Sequence, residues 1–217
     1  MTRNVTISLA AVGAFALIVA AILFATRPDT PSGAAAGAGG TTDTLVTADA
    51  ARLNDAPNAS ATLVEFADFQ CPACGRVHPI MNQLVQQYGD RVQFVFRNFP
   101  LPMHRNAEAA AIAGEAARAQ GKFVPMYDRL FETQADWSES ADAATVFRGY
   151  AQELGLDLAA YDAAVADPAT AAKIEADTAA GQAAGVSGTP TIFVDGEKVE
   201  LRSVQDITDA LDAAVTR

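Results

Sequence analysis

The stretch EFADFQCPACGRVHP, Glu65 to Pro79, contains both cysteines of the chain, Cys71 and Cys74, at Cys-x-x-Cys spacing. Thr62-Leu63-Val64-Glu65-Phe66 reads as a buried strand. After the cysteines, Val77, Ile80, Met81, Leu84, Val85 and Tyr88 recur at helical spacing up to a stop at Gly89. The pair therefore stands where a strand hands over to a helix. There, unpaired backbone N–H groups and the positive end of the helix dipole favour a thiolate. Lowering a thiol pKa from about 8.5 to about 5 raises the thiolate fraction at neutral pH from roughly 3% to nearly all. Cys71 is expected to be the exposed nucleophile and Cys74, one turn further in, the more buried resolving thiol.

Spacing alone leaves a redox dithiol, a metal-binding pair and a structural bridge open. A bridge closing so small a ring is worth only about 2 kcal/mol by loop entropy, against roughly 4.7 for a 100-residue loop. The two histidines, His78 and His104, are too far apart in sequence to make a zinc signature, and we expect no metal and no cofactor. His78 reads as a helix-surface residue and His104 as a loop residue with no assigned role. Trp137 reads as a residue that either packs within the helical tract or lines a substrate surface.

Outward from the cysteines, Val92-Gln93-Phe94-Val95-Phe96 is a second strand, which completes a β-α-β unit with a crossover helix long enough for parallel pairing. A helical tract follows. Asn106 is placed to cap the first of its helices, and Phe123, Met126, Tyr127, Leu130 and Phe131 mark the second. Val146, Phe147, Tyr150 and Leu154 mark a third, Asp157 opens a fourth, and Asp167-Pro168 starts a fifth that runs to about Ala184. Thr191 to Asp195 and Lys198 to Leu201 read as a hairpin about Asp195-Gly196. Ser203-x-x-Asp206 caps a last helix. Leu45-Val46-Thr47 is expected to be an edge strand.

The amino-terminal part has a different character. No charged residue occurs from Val5 to Thr26, with Arg3 before the segment and Arg27 after it. About 22 residues at 1.5 Å rise cover roughly 33 Å, enough to cross a bilayer and longer than the apolar region of a cleavable signal peptide. We expect residues 1–4 in the cytoplasm, 5–26 as an uncleaved signal-anchor, 27–44 as a flexible linker and 45–217 as an exported domain. The linker is built from Pro, Gly, Ala, Ser and Thr and would span about 25 Å on average. An exported domain would work where disulfides persist. The net charge of −11 disfavours a nucleic-acid partner, because phosphate binding needs clustered Lys and Arg.

With these residues in hand, the chain resembles the DsbA-like thiol:disulfide oxidoreductases, particularly the membrane-anchored Gram-positive and actinobacterial type. The likeness runs from about Asn54 to Val215. It rests on a strand leading to Cys-Pro-x-Cys, the Arg97–Leu101 segment RNFPL, a helical insertion at about 102–172, and Thr189-Pro190 before the penultimate strand. It implies an α/β thioredoxin-like fold with an inserted helical subdomain, preceded by one transmembrane helix.

The resemblance also implies roles. Cys71 and Cys74 are the catalytic pair, with Pro72 and Ala73 between them tuning the potential. Pro190 follows a cis peptide bond beside the dithiol, and the backbone at Thr189 pairs with an extended substrate. Glu65, six residues before Cys71, lies beneath the second cysteine and assists its proton transfer. Burial without a partner would raise its carboxyl pKa toward neutrality. Pro79 matches a structural helix-kink proline. The implied partners are exported cysteine-containing proteins as substrates and a membrane reoxidase of DsbB or VKOR type.

The chain departs from the best-known DsbA proteins between its cysteines, where Ala73 replaces their histidine, so a weaker oxidant is expected. A reductase or isomerase of the same fold is the alternative within the class. A Cu(I) carrier using two soft thiolates, or a non-catalytic interaction domain, is the alternative outside it.

Overall fold

Alternation along two neighbouring strands organises the core. In β2 (Ala61–Ala67) Leu63 and Ala67 face one packed cluster, and in β3 (Val92–Asn98) Phe94 and Phe96 join it; Val64, Phe66 and Val95 face a second cluster. A sheet buried on both sides needs apolar residues on both, which is why these strands read as near-continuous hydrophobic runs. The architecture is that of a computed structural model describing residues 41–217. The apolar segment 5–26 and linker residues 27–40 lie outside the described residues. No described helix is long and apolar enough to cross a membrane.

The other elements are α1 (Thr42–Leu45), β1 (Ala51–Arg52), α2 (Pro72–Tyr88), α3 (Ala107–Arg118), α4 (Phe123–Glu132), α5 (Gln134–Trp137), α6 (Ala143–Glu153), α7 (Leu158–Ala166), α8 (Pro168–Ala183), β4 (Thr191–Val194), β5 (Glu197–Lys198) and α9 (Val204–Val215). The five strands lie in the order β1-β3-β2-β4-β5. β2 and β3 are parallel, as the crossover through α2 requires, and the remaining pairs are antiparallel. The fold is thioredoxin-like, with helices α3 to α7 inserted between β3 and α8.

Local signals explain most boundaries. Asp142, Asp157 and Asp167 accept hydrogen bonds from the N–H groups of Thr145, Ala160 and Ala169 at the starts of α6, α7 and α8. At α9 the Asp206 carboxylate accepts from the Ser203 N–H at 2.7 Å. Asp195 and Gly196 both have positive φ, 49° and 84°, the geometry of a tight hairpin turn.

The hairpin's second strand is Glu197–Lys198, not Lys198–Leu201, and other expectations need correction. The edge strand is not Leu45–Thr47 but Ala51–Arg52, antiparallel to β3, and Leu45 ends the helical turn α1 instead. α1 thus begins inside the segment read as linker. The cause is tertiary: Leu45 is 1% exposed and its carbonyl accepts a hydrogen bond from Arg97 Nη1. Asn106 precedes α3 but caps nothing with its side chain; its amide donates to the carbonyls of Trp137, Ser138 and Ser140. His78 is buried, not on the helix surface, and its Nε2 lies 2.8 Å from Asp128 Oδ1.

Arg97 anchors α8 to the face of the sheet opposite the insertion. Its Nε donates to Asp177 Oδ1 at 2.7 Å, and both side chains are 2% exposed. Lys173 Nζ and the backbone N–H of Asn98 also donate to the Asp177 carboxylate. Gly181 lets α8 approach closely, since a Cβ there would fall 2.8 Å from Phe99 and 2.9 Å from Phe66. Removing the carboxylate leaves a buried guanidinium uncompensated. Asp177→Ala is expected to lower unfolding free energy by about 3–5 kcal/mol in urea denaturation. Unchanged stability would show that Arg97 is not held by this pair.

Candidate active site

Cys71 is the N-cap residue of α2 and Pro72 occupies the first helical turn, where its missing N–H costs nothing. The loop into the helix is pinned on both sides. The buried Asp68 accepts from the N–H groups of Gln70 at 2.7 Å and Leu101 at 2.9 Å, and its Oδ2 lies 2.6 Å from His104 Nδ1. Gln134 of α5 donates to the carbonyls of Phe69 at 2.6 Å and Cys71 at 3.1 Å. Gln70 reaches the insertion through the N–H of Asn106 and the carbonyl of Ser138. The helical insertion therefore holds the cysteine loop in place.

Both cysteines are free thiols and approach each other to 3.8 Å. Cys71 is 6% exposed and Cys74 1%. The expected asymmetry is present, but Cys71 is more enclosed than a freely exposed nucleophile. The loop before β4 is what covers it. The Thr189–Pro190 peptide bond is cis, and the Thr189 carbonyl lies 3.4 Å from Cys71 Sγ. A groove of about 290 Å³ lies alongside, lined by Gly188, Thr189, Pro190 and, across it, Lys198, Val199 and Leu201.

The electrostatics separate the two sulfurs. A hydrogen bond from Cys74, supported by the backbone N–H groups of Cys74 and Ala73, outweighs the opposing effect of burial and lowers the Cys71 thiol pKa to about 5. Burial first, then the hydrogen bond to Cys71 and the Glu65 charge, push the Cys74 thiol far up. At neutral pH the site therefore holds one thiolate, on Cys71, and one thiol, on Cys74. That is the state needed for an outer sulfur that both attacks and leaves.

Glu65 occupies β2 on the face that carries Leu63 and Ala67, the side on which Cys74 packs. It is 1% exposed, and its Oε2 has no hydrogen-bond partner among the described residues. Burial raises its carboxyl pKa to about 8. The structure thus brings Cys71, Cys74, Glu65, Thr189 and Pro190 to one place, with Pro72 and Ala73 between the sulfurs.

Asp68, Gln70, His104 and Gln134 support the loop and were missed in the sequence. Asp68 and Gln70 lie inside the opening stretch, so their place beside Cys71 was visible. Their partners come from segments 33 to 68 residues away, and no local pattern signals those. Trp137 proves to be a packing residue, 0% exposed, with Nε1 donating to the Leu130 carbonyl at 2.9 Å.

The sequence from residue 52 to 213 matches the family model described as Thioredoxin. A thioredoxin-like oxidoreductase from Silicibacter pomeroyi is 27% identical, with a TM-score of 0.65 over 82% of this chain and 99% of that one. BdbD from Bacillus subtilis is 22% identical, with a TM-score of 0.68 over 78% of this chain and 94% of that one. Alpha-DsbA1 from Wolbachia pipientis is 21% identical, with a TM-score of 0.68 over 81% and 96%. The chain belongs to the thioredoxin family, and it shares its fold with BdbD and alpha-DsbA1. Among curated sequences it matches the Na(+)/H(+) antiporter NhaA 3 of Salinispora tropica, 40% identical over 141 residues, which are 64% of this chain and 21% of that protein. The NhaA 1 protein of Salinispora arenicola is 38% identical over 73% of this chain and 23% of its own length. The chain thus spans about a fifth to a quarter of the length of these curated relatives.

Proposed function

We propose that this chain is an extracytoplasmic thiol:disulfide oxidoreductase that oxidises cysteine pairs in exported proteins through Cys71 and Cys74. The observation that carries this reading is the asymmetric pair at the start of α2: a thiolate on Cys71 facing Thr189, and a buried thiol on Cys74 above Glu65. In the oxidising direction a substrate thiolate attacks Cys71 Sγ of the disulfide. Cys74 leaves and takes a proton, with Glu65 as its source. A second substrate thiolate then attacks the substrate sulfur of the mixed disulfide, and Cys71 leaves as a stable thiolate. Pro72 and Ala73 keep the sulfurs at the helix start, while Thr189 and Pro190 form the wall against which an extended substrate would lie.

The reduced enzyme must lose two electrons in each cycle. We assign that step to a membrane reoxidase of DsbB or VKOR type. We also assign residues 5–26 to a single-pass anchor, 27–44 to a tether and 45–217 to the catalytic domain. The tether would keep enzyme and reoxidase at high effective concentration. Similarity to part of two proteins named as antiporters agrees with work beside a membrane. Against a Cu(I) carrier stands the commitment of both histidines: His78 is held by Asp128 and Asn82, and His104 by Asp68. Both side chains are thus engaged with carboxylates and not offered to a copper ion beside the sulfurs.

Trapping tests the reading. Cys74→Ala is expected to leave Cys71 joined to its substrates, so that mixed disulfides accumulate on the full chain in cells and dissolve on reduction. Cys71→Ser should trap nothing. If Cys74→Ala captures no exported cysteine protein, the oxidase reading fails.

A further inference from the structure

Tyr127 stands on α4 with its ring 5.5 Å from Phe96, 5.1 Å from Phe131 and 5.1 Å from His78. The residue is 1% exposed, and its hydroxyl has no hydrogen-bond partner among the described residues. Glu65 Oε2 is in the same position. The two lie on the same side of the sheet, because Glu65 pairs in register with Phe96, against whose ring Tyr127 packs. Cys74 belongs to the same cluster. Buried polar atoms in folded proteins are nearly always satisfied by protein or ordered water, so two orphans in one corner call for a common explanation.

We propose that Tyr127 is a positioning residue for thiol exchange: its hydroxyl donates, through a buried water, to the Glu65 carboxylate and sets how readily Glu65 takes the proton of Cys74. The inference rests on reading the chain as a thiol:disulfide exchanger. After burial, Glu65 has the largest influence on the Tyr127 hydroxyl, ahead of Asp128 and Cys74, which places the three groups within one another's field. Of the titratable groups in this corner, Cys74 on α2 and Tyr127 on α4 feel the Glu65 charge, Asp128 bears on Tyr127, and His78 lies against the Tyr127 ring and is held by Asp128. β3 and β4 offer only Phe96 and Ile192 at its register positions.

The step has a simple balance. In a mixed disulfide between Cys71 and glutathione, Cys74 gives its proton to Glu65 as its sulfur attacks Cys71 Sγ. The Cys71–Cys74 bond forms, the bond to glutathione breaks, and glutathione leaves as a thiolate that solvent protonates. No other oxidant or reductant is needed.

Tyr127→Phe removes only the hydroxyl. Two readouts decide: the carboxyl titration of Glu65 by carbon NMR in the reduced protein, and the pH profile of glutathione release from the Cys71 mixed disulfide. The Glu65 midpoint is expected to rise by about one unit, the size of one hydrogen bond to a charged group. Release at pH 7 should slow about tenfold and recover at higher pH. The thermal midpoint should hold, and Tyr127→Phe should add nothing in a Glu65→Gln background. An unmoved Glu65 midpoint, a uniform slowing at every pH, or an equal effect in the Glu65→Gln background overturns the proposal. Wild-type protein that does not exchange with glutathione at all overturns the functional reading instead, and the carboxyl titration then still decides the role of Tyr127.

Discussion

Equilibrated with glutathione at pH 7, the Cys71–Cys74 couple is expected to settle between about −165 and −185 mV, less oxidising than DsbA at about −120 mV and far from thioredoxin at about −270 mV. The argument runs through Cys71. A thiolate stabilised in the reduced form makes the disulfide easier to reduce, and each pKa unit is worth about 1.4 kcal/mol, or about 30 mV for two electrons. The Cys71 pKa of about 5 lies roughly 1.5 units above the value of about 3.5 known for DsbA. Scaling by linkage alone gives the upper figure, and interpolating between DsbA and thioredoxin gives the lower.

The expected weaker stabilisation has its source in the groups around Cys71. Cys74, Thr189 and two backbone N–H groups face Cys71, and Ala73 brings no imidazole. Ala73→His should therefore move the potential toward −120 mV and the iodoacetamide alkylation midpoint of Cys71 below about 5. A potential near that of thioredoxin would reverse the direction of electron flow and make the chain a reductase.

The second large effect concerns Glu65. Its carboxyl is protonated in the folded protein up to a pKa of about 8, against 4.5 for the unconstrained group. Between those values the folded state binds the extra proton, so stability falls as pH rises. The contribution is fully present below pH 4.5 and lost by about pH 8, a span worth about 5 kcal/mol. Measured on the oxidised protein, where neither cysteine titrates, Glu65→Gln should abolish this decline in unfolding free energy. The same substitution should slow release of glutathione from the Cys71 mixed disulfide about 10²-fold, because Cys74 loses its proton acceptor. A variant that gains stability at pH 8 while losing exchange rate is the signature of a strained functional group. Equal pH slopes in the two proteins would place the Glu65 carboxyl in contact with water and remove its role.

How much of this was legible depends on the range over which each signal acts. The strand, the Cys-x-x-Cys pair and the helix behind it follow from periodicity and a stop at Gly89, which are local properties. Asp157, Asp167 and Ser203 announced helix starts for the same reason: a cap bonds within three residues of itself. Asn106 looked identical and was not a cap, because three carbonyls from 137 to 140 compete for its amide. His78 sat at a position that could face out, yet Asp128 from α4 covers it.

The sequence by itself determined the order of the main elements, the placing of Cys71 and Cys74 where a strand hands over to a helix, and the burial of the strand that carries Glu65. Periodicity and residue chemistry suffice for those. Only the tertiary structure decided which groups meet: Thr189 over Cys71, Arg97 on Asp177, the Asp68 and Gln134 contacts that hold the cysteine loop, and Tyr127 on the side of the sheet that carries Glu65. Each of these pairs residues that are 60 or more apart or lie on different elements, apart from the Asp68 contacts to Gln70, Leu101 and His104. Their encounter is set by how helices pack on the sheet, and no window along the chain contains that information.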